Sequence, residues 1–301
     1  MTYRVTDSSQ AAVLSARINT NRARVEVASE RISSGKRINR PSDDPFGADA
    51  VLRLRTSLAS VQRFQENSNM VKENLQVSDG ALESYQQLLD RARALLTQGA
   101  SDSTSPANKA SIAAEIDAIR QQALSIANLS SGGRYLFGGT RQSSAPYDST
   151  ATPAPTPTQQ QLVQIEPGAY PIQAGVTAET IFANAASTVF STLANAATAL
   201  RGTGNPTVDQ TTVLASIDGL TTFTDQSSSA RAQIGASLHG VDEAQARLDS
   251  LALSYQRSVD NVESADLAET AIELAQADRA LQATLQATSA FGRRSLLDFL
   301  T

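Results

Sequence analysis

The chain contains no cysteine and no tryptophan, and its 301 residues include a single histidine. The missing thiols exclude disulfides, thiolate catalysis and cysteine-bound zinc. His239 stands alone, so a histidine-ligated metal or a Ser-His-Asp triad lacks its usual partners. Aromatic residues make up only 5% of the chain, which favours slender helices packed through small side chains over a thick aromatic core. We predict no catalytic, cofactor-binding or metal-binding residues.

The chain also lacks a long apolar run and a basic balance of charge. No stretch approaches the ~20 apolar residues of a membrane-spanning helix, so we expect no membrane insertion. Residues 1–10 lack the apolar centre of a secretory signal, so any export is expected to proceed without a cleavable signal peptide. The net charge of −5 argues against nucleic acid as the main partner.

Charge is distributed unevenly along the chain. Residues 1–70 hold eleven Lys or Arg against seven Asp or Glu, whereas residues 255–290 hold two against six. Opposite net charges favour the packing of these two segments side by side.

Apolar residues follow a helical period near both ends of the chain. Apolar residues recur there every three or four positions, which is typical of a coiled-coil seam. An ordinary amphipathic helix on a globular core explains the first pattern equally well. Asn21 is a single polar seam position, of the kind that fixes register. The predicted assembly seam consists of Leu14, Ile18, Asn21, Val25 and Ile32 in the first segment and of Leu267, Ala271, Leu274, Leu281 and Leu285 in the last.

The middle of the chain mixes long helical patterns with turn-rich stretches. Patterns running from Val51 to Leu96 and from Ile234 to Val262 predict two long helices, with shorter ones at about 107–130 and 179–200. The only strands that we expect, Gln161–Glu166 and Tyr170–Ala174, flank Pro167-Gly168 and predict one small hairpin. Alternating prolines at 153, 155 and 157 predict a surface loop that contributes little packing.

These patterns predict a mainly α fold, an elongated helical bundle or coiled coil formed by both chain ends with a small β-containing central insertion. Residues 1–38 and 265–301 would form a terminal coiled-coil domain. Residues 39–134 and 179–264 would form a helical rod, and residues 135–178 a short variable insertion.

Residues 31–48 read as a joint between the first two helices. Gly35 supplies the left-handed residue that commonly ends a helix, and Asp44 with Pro45 predicts the N-cap and first position of the next. Adjacent carboxylates cannot straddle a substrate bond, so capping is the better interpretation of the acidic pair. The predicted joint residues are Gly35, Arg37, Asn39, Pro41, Asp43, Asp44 and Pro45.

The same stretch resembles the loop between the first two helices of bacterial flagellins and their relatives. It shares their Ser-Ser-Gly, Arg-Ile-Asn and Asp-Asp elements. The sequences Arg40-Pro-Ser-Asp-Asp-Pro45 and Tyr135-Leu-Phe-Gly-Gly-Thr140 are more similar to the members of the family that lie at the junction of hook and filament than to filament flagellins. Further stretches that resemble signatures of the family are Ser78–Leu82, Ser229–Gly235, Asp266–Ile272 and Ser295–Leu300.

The resemblance implies a structural, non-enzymatic, extracellular component of the bacterial flagellum. Such a protein would be exported by the flagellar type III system and assembled as a ring through terminal helices that are disordered in the free monomer. Its partners would be further copies of itself, an adjoining hook-associated protein, flagellin and a cytosolic export chaperone. Two alternatives stay open: a short flagellin that forms the filament itself, and a cytosolic coiled-coil adaptor.

Overall fold

The computed structural model describes residues 3–101, 103–153, 158–168 and 171–300. Helices dominate these residues, which confirms the mainly α fold. The helices are α1 (Tyr3–Ser34), α2 (Pro45–Gly99), α3 (Pro106–Ala127), α4 (Ala178–Phe182), α5 (Val189–Arg201), α6 (Pro206–Glu263) and α7 (Leu267–Leu300). Four short strands lie between α3 and α4, namely β1 (Ser130–Ser131), β2 (Arg134–Tyr135), β3 (Leu162–Val163) and β4 (Ile172–Gln173).

The strands form two antiparallel hairpins, of which one was predicted. In that hairpin Leu162 of β3 lies opposite Gln173 of β4; Tyr170 of the predicted second strand, like Pro155 and Pro157, lies outside the described residues. The pairing of β1 with β2 shows that the prediction of a single hairpin was wrong. Gly132 and Gly133 make the unpredicted hairpin possible, because both adopt positive φ angles, 57° and 78°, that a two-residue turn requires.

The predicted helix over 179–200 is broken into α4 and α5. The Asn184 side chain accepts hydrogen bonds from the backbone N–H groups of Ala186 and Ser187, at 2.9 and 2.7 Å. Thr188 and Ser191 then form a reciprocal capping box at the start of α5. These local side-chain bonds compete with helical backbone bonds, so the apolar periodicity continues across a break that it does not reveal.

The chain divides into two compact units. Unit 1 comprises residues 1–60 and 251–301, and unit 2 comprises residues 61–250. The chain passes from one unit to the other within α2, after residue 60, and again within α6, after residue 250. The predicted domain boundaries lie instead near residues 38 and 265. The difference arises because the first turns of α2 contact the end of α6: Arg55 is ion-paired with Glu263 at 2.6 Å within unit 1.

Unit 2 contains an aromatic core, contrary to the prediction from composition. Phe182 lies at its centre, with its ring centroid 4.8 Å from that of Tyr85 and 5.7 Å from that of Phe137. Tyr147 and Phe190 complete the cluster, with centroids 4.8 Å apart. A low aromatic content is therefore compatible with an aromatic core, because the few rings are concentrated in one place.

The central segment is part of that core. Phe137, Tyr147, Ile165 and Val176 all lie between residues 135 and 178, and all are buried. Ala151, beside the proline-rich stretch, is also buried. Pro153, in the predicted surface loop itself, is exposed.

Candidate functional site

In unit 1, α1 packs against α7 through a polar contact. The Asn21 side-chain amide donates to Thr284 Oγ1 at 2.8 Å and to the Ala280 carbonyl oxygen at 3.3 Å. Nearer the end of α1, Arg31 is ion-paired with Glu273 at 3.5 Å. Asn21 therefore acts as a polar seam residue, because its hydrogen bonds form at only one register of α1 against α7.

The predicted seam residues do not all face this contact. Thr270 and Ala277 are buried on α7, and with Thr284 they recur every seven residues along the packed face. The predicted seam omitted these three small or β-branched residues, but it included Leu274 and Leu281, which are half-buried beside them. The half-buried members of the predicted seam are Leu14, Ile18, Asn21, Val25, Leu274 and Leu281, and the exposed members are Ile32, Leu267, Ala271 and Leu285.

The joint between α1 and α2 is built by local capping, as its residues predicted. Gly35 has φ +67° and its N–H donates to the Arg31 carbonyl oxygen at 2.9 Å, which ends α1. Asp44 Oδ1 accepts from the N–H of Gly47 at 2.9 Å, and Pro45 is the first residue of α2. The Asp43 carboxylate accepts from the N–H groups of Asn39 and Arg40 in the loop, at 3.1 and 2.8 Å.

Hydrogen bonds to the backbone lower the pKa values of both joint aspartates. For Asp43 the largest effect is the bond from the Arg40 N–H, and burial opposes it. For Asp44 the bond from the Gly47 N–H comes first, again against burial, and Arg37 adds a side-chain bond at 3.1 Å. Both carboxylates are thus held in their charged, accepting form. Pro41 is exposed beside them.

The joint is also attached to a second chain reversal, between α6 and α7, which the sequence did not reveal. The Arg37 N–H donates to the Glu263 carbonyl oxygen at 2.7 Å, and the Ala265 N–H donates to the Gly35 carbonyl oxygen at 3.0 Å. The Arg37 guanidinium adds a bond to the Val262 carbonyl oxygen at 2.9 Å. Backbone and side chain together therefore connect the two reversals, although more than 200 residues separate them in sequence.

Glu263 is the charged residue at the centre of this connection. Its carboxylate is buried and pairs with Lys36 at 2.9 Å and with Arg55 at 2.6 Å. Burial acts to raise the pKa of Glu263, but the hydrogen bonds and positive charges of Lys36 and Arg55 outweigh it, and the pKa is lowered. The carboxylate thus links one residue of the joint and one residue of α2 to the end of α6.

Two stretches that resemble family signatures meet in unit 2. Arg231, from Ser229–Gly235, donates to both carboxylate oxygens of Asp79, from Ser78–Leu82, at 2.8 and 3.2 Å. It also donates to the Gln86 side-chain oxygen at 3.0 Å. This forked geometry suits a guanidinium and would not suit lysine. The pair holds α6 against α2 within unit 2.

The contacts described above are structural. Among the described residues, no group of three or more His, Cys, Asp or Glu side chains is placed to hold a metal ion. Within the same residues, no helix has the length and apolar character needed to cross a membrane. The connected features are capping bonds, ion pairs and helix contacts that hold an early segment of the chain to a late one.

Comparison with known proteins gives these features a context. The model of the bacterial flagellin N-terminal helical region matches residues 5–142. Flagellar hook-associated protein 3 of Salmonella typhimurium is 28% identical over 120 residues, which cover 40% of this chain and 38% of that protein. Flagellin E of Vibrio cholerae is 31% identical over 140 residues, or 46% of this chain and 37% of that protein. The matched stretch thus spans less than two fifths of either relative.

Solved structures show the same fold. A Vibrio parahaemolyticus structure described as a flagellar hook-associated protein superposes with a TM-score of 0.68 at 19% identity, covering 74% of this chain and all of that one. The structure of FlgL from Xanthomonas campestris gives a TM-score of 0.62 at 21% identity, covering 69% of this chain and 99% of that one.

Proposed function

We propose that the chain is a member of the bacterial flagellin family, whose N-terminal helical region matches residues 5–142, and that it is a structural hook-associated protein at the junction of hook and filament. In this role it connects the hook side of the flagellum to the flagellin filament and catalyses no reaction. Copies of the chain form a ring through their terminal helices, with an adjoining hook-associated protein on one side and flagellin on the other.

The connection between the two chain reversals carries the proposal. It holds α1 beside α7 through backbone bonds of 2.7 and 3.0 Å at the joint, and Asn21 fixes their register further along. A subunit built in this way offers paired helices from early and late parts of the chain as one surface for neighbouring subunits. The similarity to hook-associated protein 3 of Salmonella typhimurium favours the junction over other sites in the flagellum.

We also propose that the protein leaves the cell through the flagellar type III system, with a cytosolic chaperone covering its carboxy-terminal helix beforehand. In the free monomer, α1 and α7 would be disordered, because a pair of helices with small seam residues buries little apolar area. Order would then come with assembly at the extracellular tip.

One specific observation favours a second candidate, a short flagellin that forms the filament itself: flagellin E of Vibrio cholerae is 31% identical over its matched region. Polymerisation separates the two. Purified flagellin is expected to form long filaments when seeded, whereas a junction protein is expected to stop at short rings or remain monomeric. Electron microscopy of the purified full-length chain, incubated at high concentration with filament seeds, makes the distinction.

Fractionation of the native bacterium tests the location. Sheared flagella from normal cells should contain the protein at a few copies per flagellum, far below flagellin, and cells without the flagellar export apparatus should retain it. Absence of the protein from the sheared flagella of normal cells would overturn the proposal and favour a cytosolic coiled-coil adaptor.

A further inference from the structure

One face of α7 is apolar and uncovered. Leu267 is 54% exposed and Leu285 is 49% exposed, and Ala271 is exposed between them. Their spacing of four and fourteen residues places all three on one stripe of the helix. This stripe, defined as Leu267, Ala271, Asp278 and Leu285, lies beside the face that packs on α1, which is marked by Thr270 and Ala277.

A single charge interrupts the stripe. Asp278 is exposed, and among the described side chains it has no ion-pair partner. A lone carboxylate in an otherwise apolar stripe calls for a cation on the surface that covers it, and such a position sets register between helices.

The other side of the α1–α7 pair carries a groove of about 990 Å³. Small residues line much of it and let a further helix approach closely. Of the two arginines that line it, Arg31 is already ion-paired with Glu273 across the groove, which leaves the guanidinium of Arg24. Arg24 is exposed there and has no ion-pair partner in the part of the chain that the structure describes. The lining residues that a docked helix would contact include Ala23, Arg24, Val27, Gln276, Ala277 and Ala280.

The stripe and the groove lie on different sides of α7. Ala271 of the stripe and Gln276 of the groove are five residues apart, which separates them by roughly 140° around the helix axis at 3.6 residues per turn. One copy therefore cannot bring its own stripe into its own groove. A stripe on one side and a groove on another side of the same unit define a heterologous contact, which propagates from copy to copy into a ring or a helix.

Part of the stripe matches the groove in length and in the position of the charge. The whole stripe, from Leu267 to Leu285, extends about 27 Å at ~1.5 Å per residue, and its part from Ala271 to Leu285 extends about 21 Å. The α1 wall of the groove, from Asn19 to Arg31, extends about 18 Å. Asp278 lies halfway between Ala271 and Leu285, and Arg24 lies near the middle of the wall. When Ala271 and Leu285 are seated along the groove, the carboxylate is placed opposite the guanidinium, and Leu267 extends beyond the groove.

We infer that the α7 stripe of one copy docks into the α1–α7 groove of the next copy, with Asp278 paired to Arg24 across the contact. This inference rests on the proposed function, because it names the contact through which copies of the chain form their ring. Ala271 and Leu285 are seam residues in this arrangement, toward a neighbouring copy instead of toward α1 of their own.

The absence of native cysteine makes a disulfide test unambiguous. Two differently tagged forms of the full chain, Arg24→Cys and Asp278→Cys, are produced together in the native bacterium in place of the wild type, and sheared flagella are oxidised mildly. We expect a disulfide that joins the two tags as the main cross-linked species. The matched control replaces Arg24→Cys by Arg22→Cys, on the far side of α1, and should give at least tenfold less.

The outcomes separate the two proposals. If wild-type protein is absent from sheared flagella, the proposed function fails and takes this inference with it. If the cysteine forms are present in flagella but no mixed disulfide appears, or if the Arg22→Cys pairing equals the Arg24→Cys pairing, the contact is wrong and the junction role stands.

A charge exchange covers the case in which the cysteine forms no longer reach the flagellum. Arg24→Asp and Asp278→Arg are each expected to reduce incorporation at least tenfold, and the double variant is expected to recover most of it. A double variant as poorly incorporated as the singles would overturn the inferred pairing.

Discussion

The contacts that stabilise the inside of unit 1 differ from those that stabilise the inside of unit 2. In unit 2, Tyr85 and Phe137 pack edge to face on Phe182 and Phe190 stacks on it, and all these rings are almost fully buried. In unit 1, Phe46 is 90% exposed, and the structure depends on capping bonds, ion pairs at Glu263 and the small residues between α1 and α7. Apolar burial dominates protein stability, and polar contacts at a partly exposed site add modest increments. The comparison indicates that unit 2 is stable by itself and that unit 1 depends on additional contacts.

The largest effect should come from removing the centre of the aromatic core. Phe182→Ala takes away a ring that contacts four others and should reduce the free energy of unfolding by about 3–5 kcal/mol. Urea unfolding of the full chain, followed by tyrosine circular dichroism, measures it. Phe46→Ala is the matched control in unit 1 and should change stability by less than about 0.5 kcal/mol. Similar losses for the two variants would contradict the comparison.

A methyl group added at the joint should have the next largest effect. A Cβ at Gly47 would lie 2.5 Å from Asp44 Oδ2 and 2.5 Å from Ile38 Cδ1, so either the cap or a buried side chain must move. Gly47→Ala should therefore cost about 1–3 kcal/mol and should raise hydrogen exchange at residues 35–48.

Gly80 provides the control for this substitution, since it lies inside the same helix with nothing within 4 Å of an added Cβ. Gly80→Ala should stabilise unit 2 by about 0.5–1 kcal/mol, because glycine in a helix interior loses more backbone entropy than alanine. A Gly47→Ala variant that gained stability as well would show that the joint is not tightly packed.

Neutralising Glu263 should loosen unit 1 and leave unit 2 unchanged. Glu263→Gln keeps the shape but weakens the bonds to Lys36 and Arg55, and should cost about 1–2 kcal/mol. Hydrogen exchange at the amides of Arg37 and Ala265 reports it directly. Glu243→Gln, at a side chain that is 74% exposed, should have no measurable effect. Unchanged protection in the Glu263 variant would show that the backbone bonds between the reversals hold without it.

Lowering the pH should also loosen unit 1, to a smaller extent and gradually. The pKa values of Asp43, Asp44 and Glu263 are lowered in the folded chain. Their stabilising contribution is therefore complete above the ordinary carboxyl pKa of about 4 and is lost as the pH falls through the lowered values. Protection factors at residues 35–44, obtained stepwise down from pH 7 by correcting each exchange rate for its intrinsic pH dependence, should fall below about pH 4, before the core of unit 2 opens. Simultaneous opening of both units would argue against separate stabilities.

Contacts between sequence neighbours could be predicted from the sequence, and contacts between distant residues could not. Gly35, Asp44 and Pro45 were predicted because a helix end and a helix start are specified by neighbouring residues. Asn21 was predicted because a polar residue in an apolar period stands out. Glu263 was missed, since its partners Lys36 and Arg55 are some 200 residues away. Arg231 and Asp79 each lie in a stretch that resembles a family signature, but no pattern within either stretch indicated that they would pair.

The errors in the fold have related causes. The predicted α7 seam omitted Thr270, Ala277 and Thr284, which lie on the face toward α1. Their spacing of seven was present in the sequence, but small polar residues do not contribute to an apolar pattern. The break between α4 and α5 was missed because Asn184 acts through hydrogen bonds that leave the periodicity intact. The aromatic core was missed because composition averages over a chain whose rings are concentrated in unit 2.

The bonds between the two chain reversals impose an order of events on the growing chain. Gly35 and Arg37 are made early, yet their partners Glu263 and Ala265 are added more than 200 residues later. During synthesis, residues 61–250 can close their own core before the last helix exists, while the first helix has no partner. Unit 1 is therefore completed last, when the final helix has emerged, and α1 remains free of its partner for most of that time.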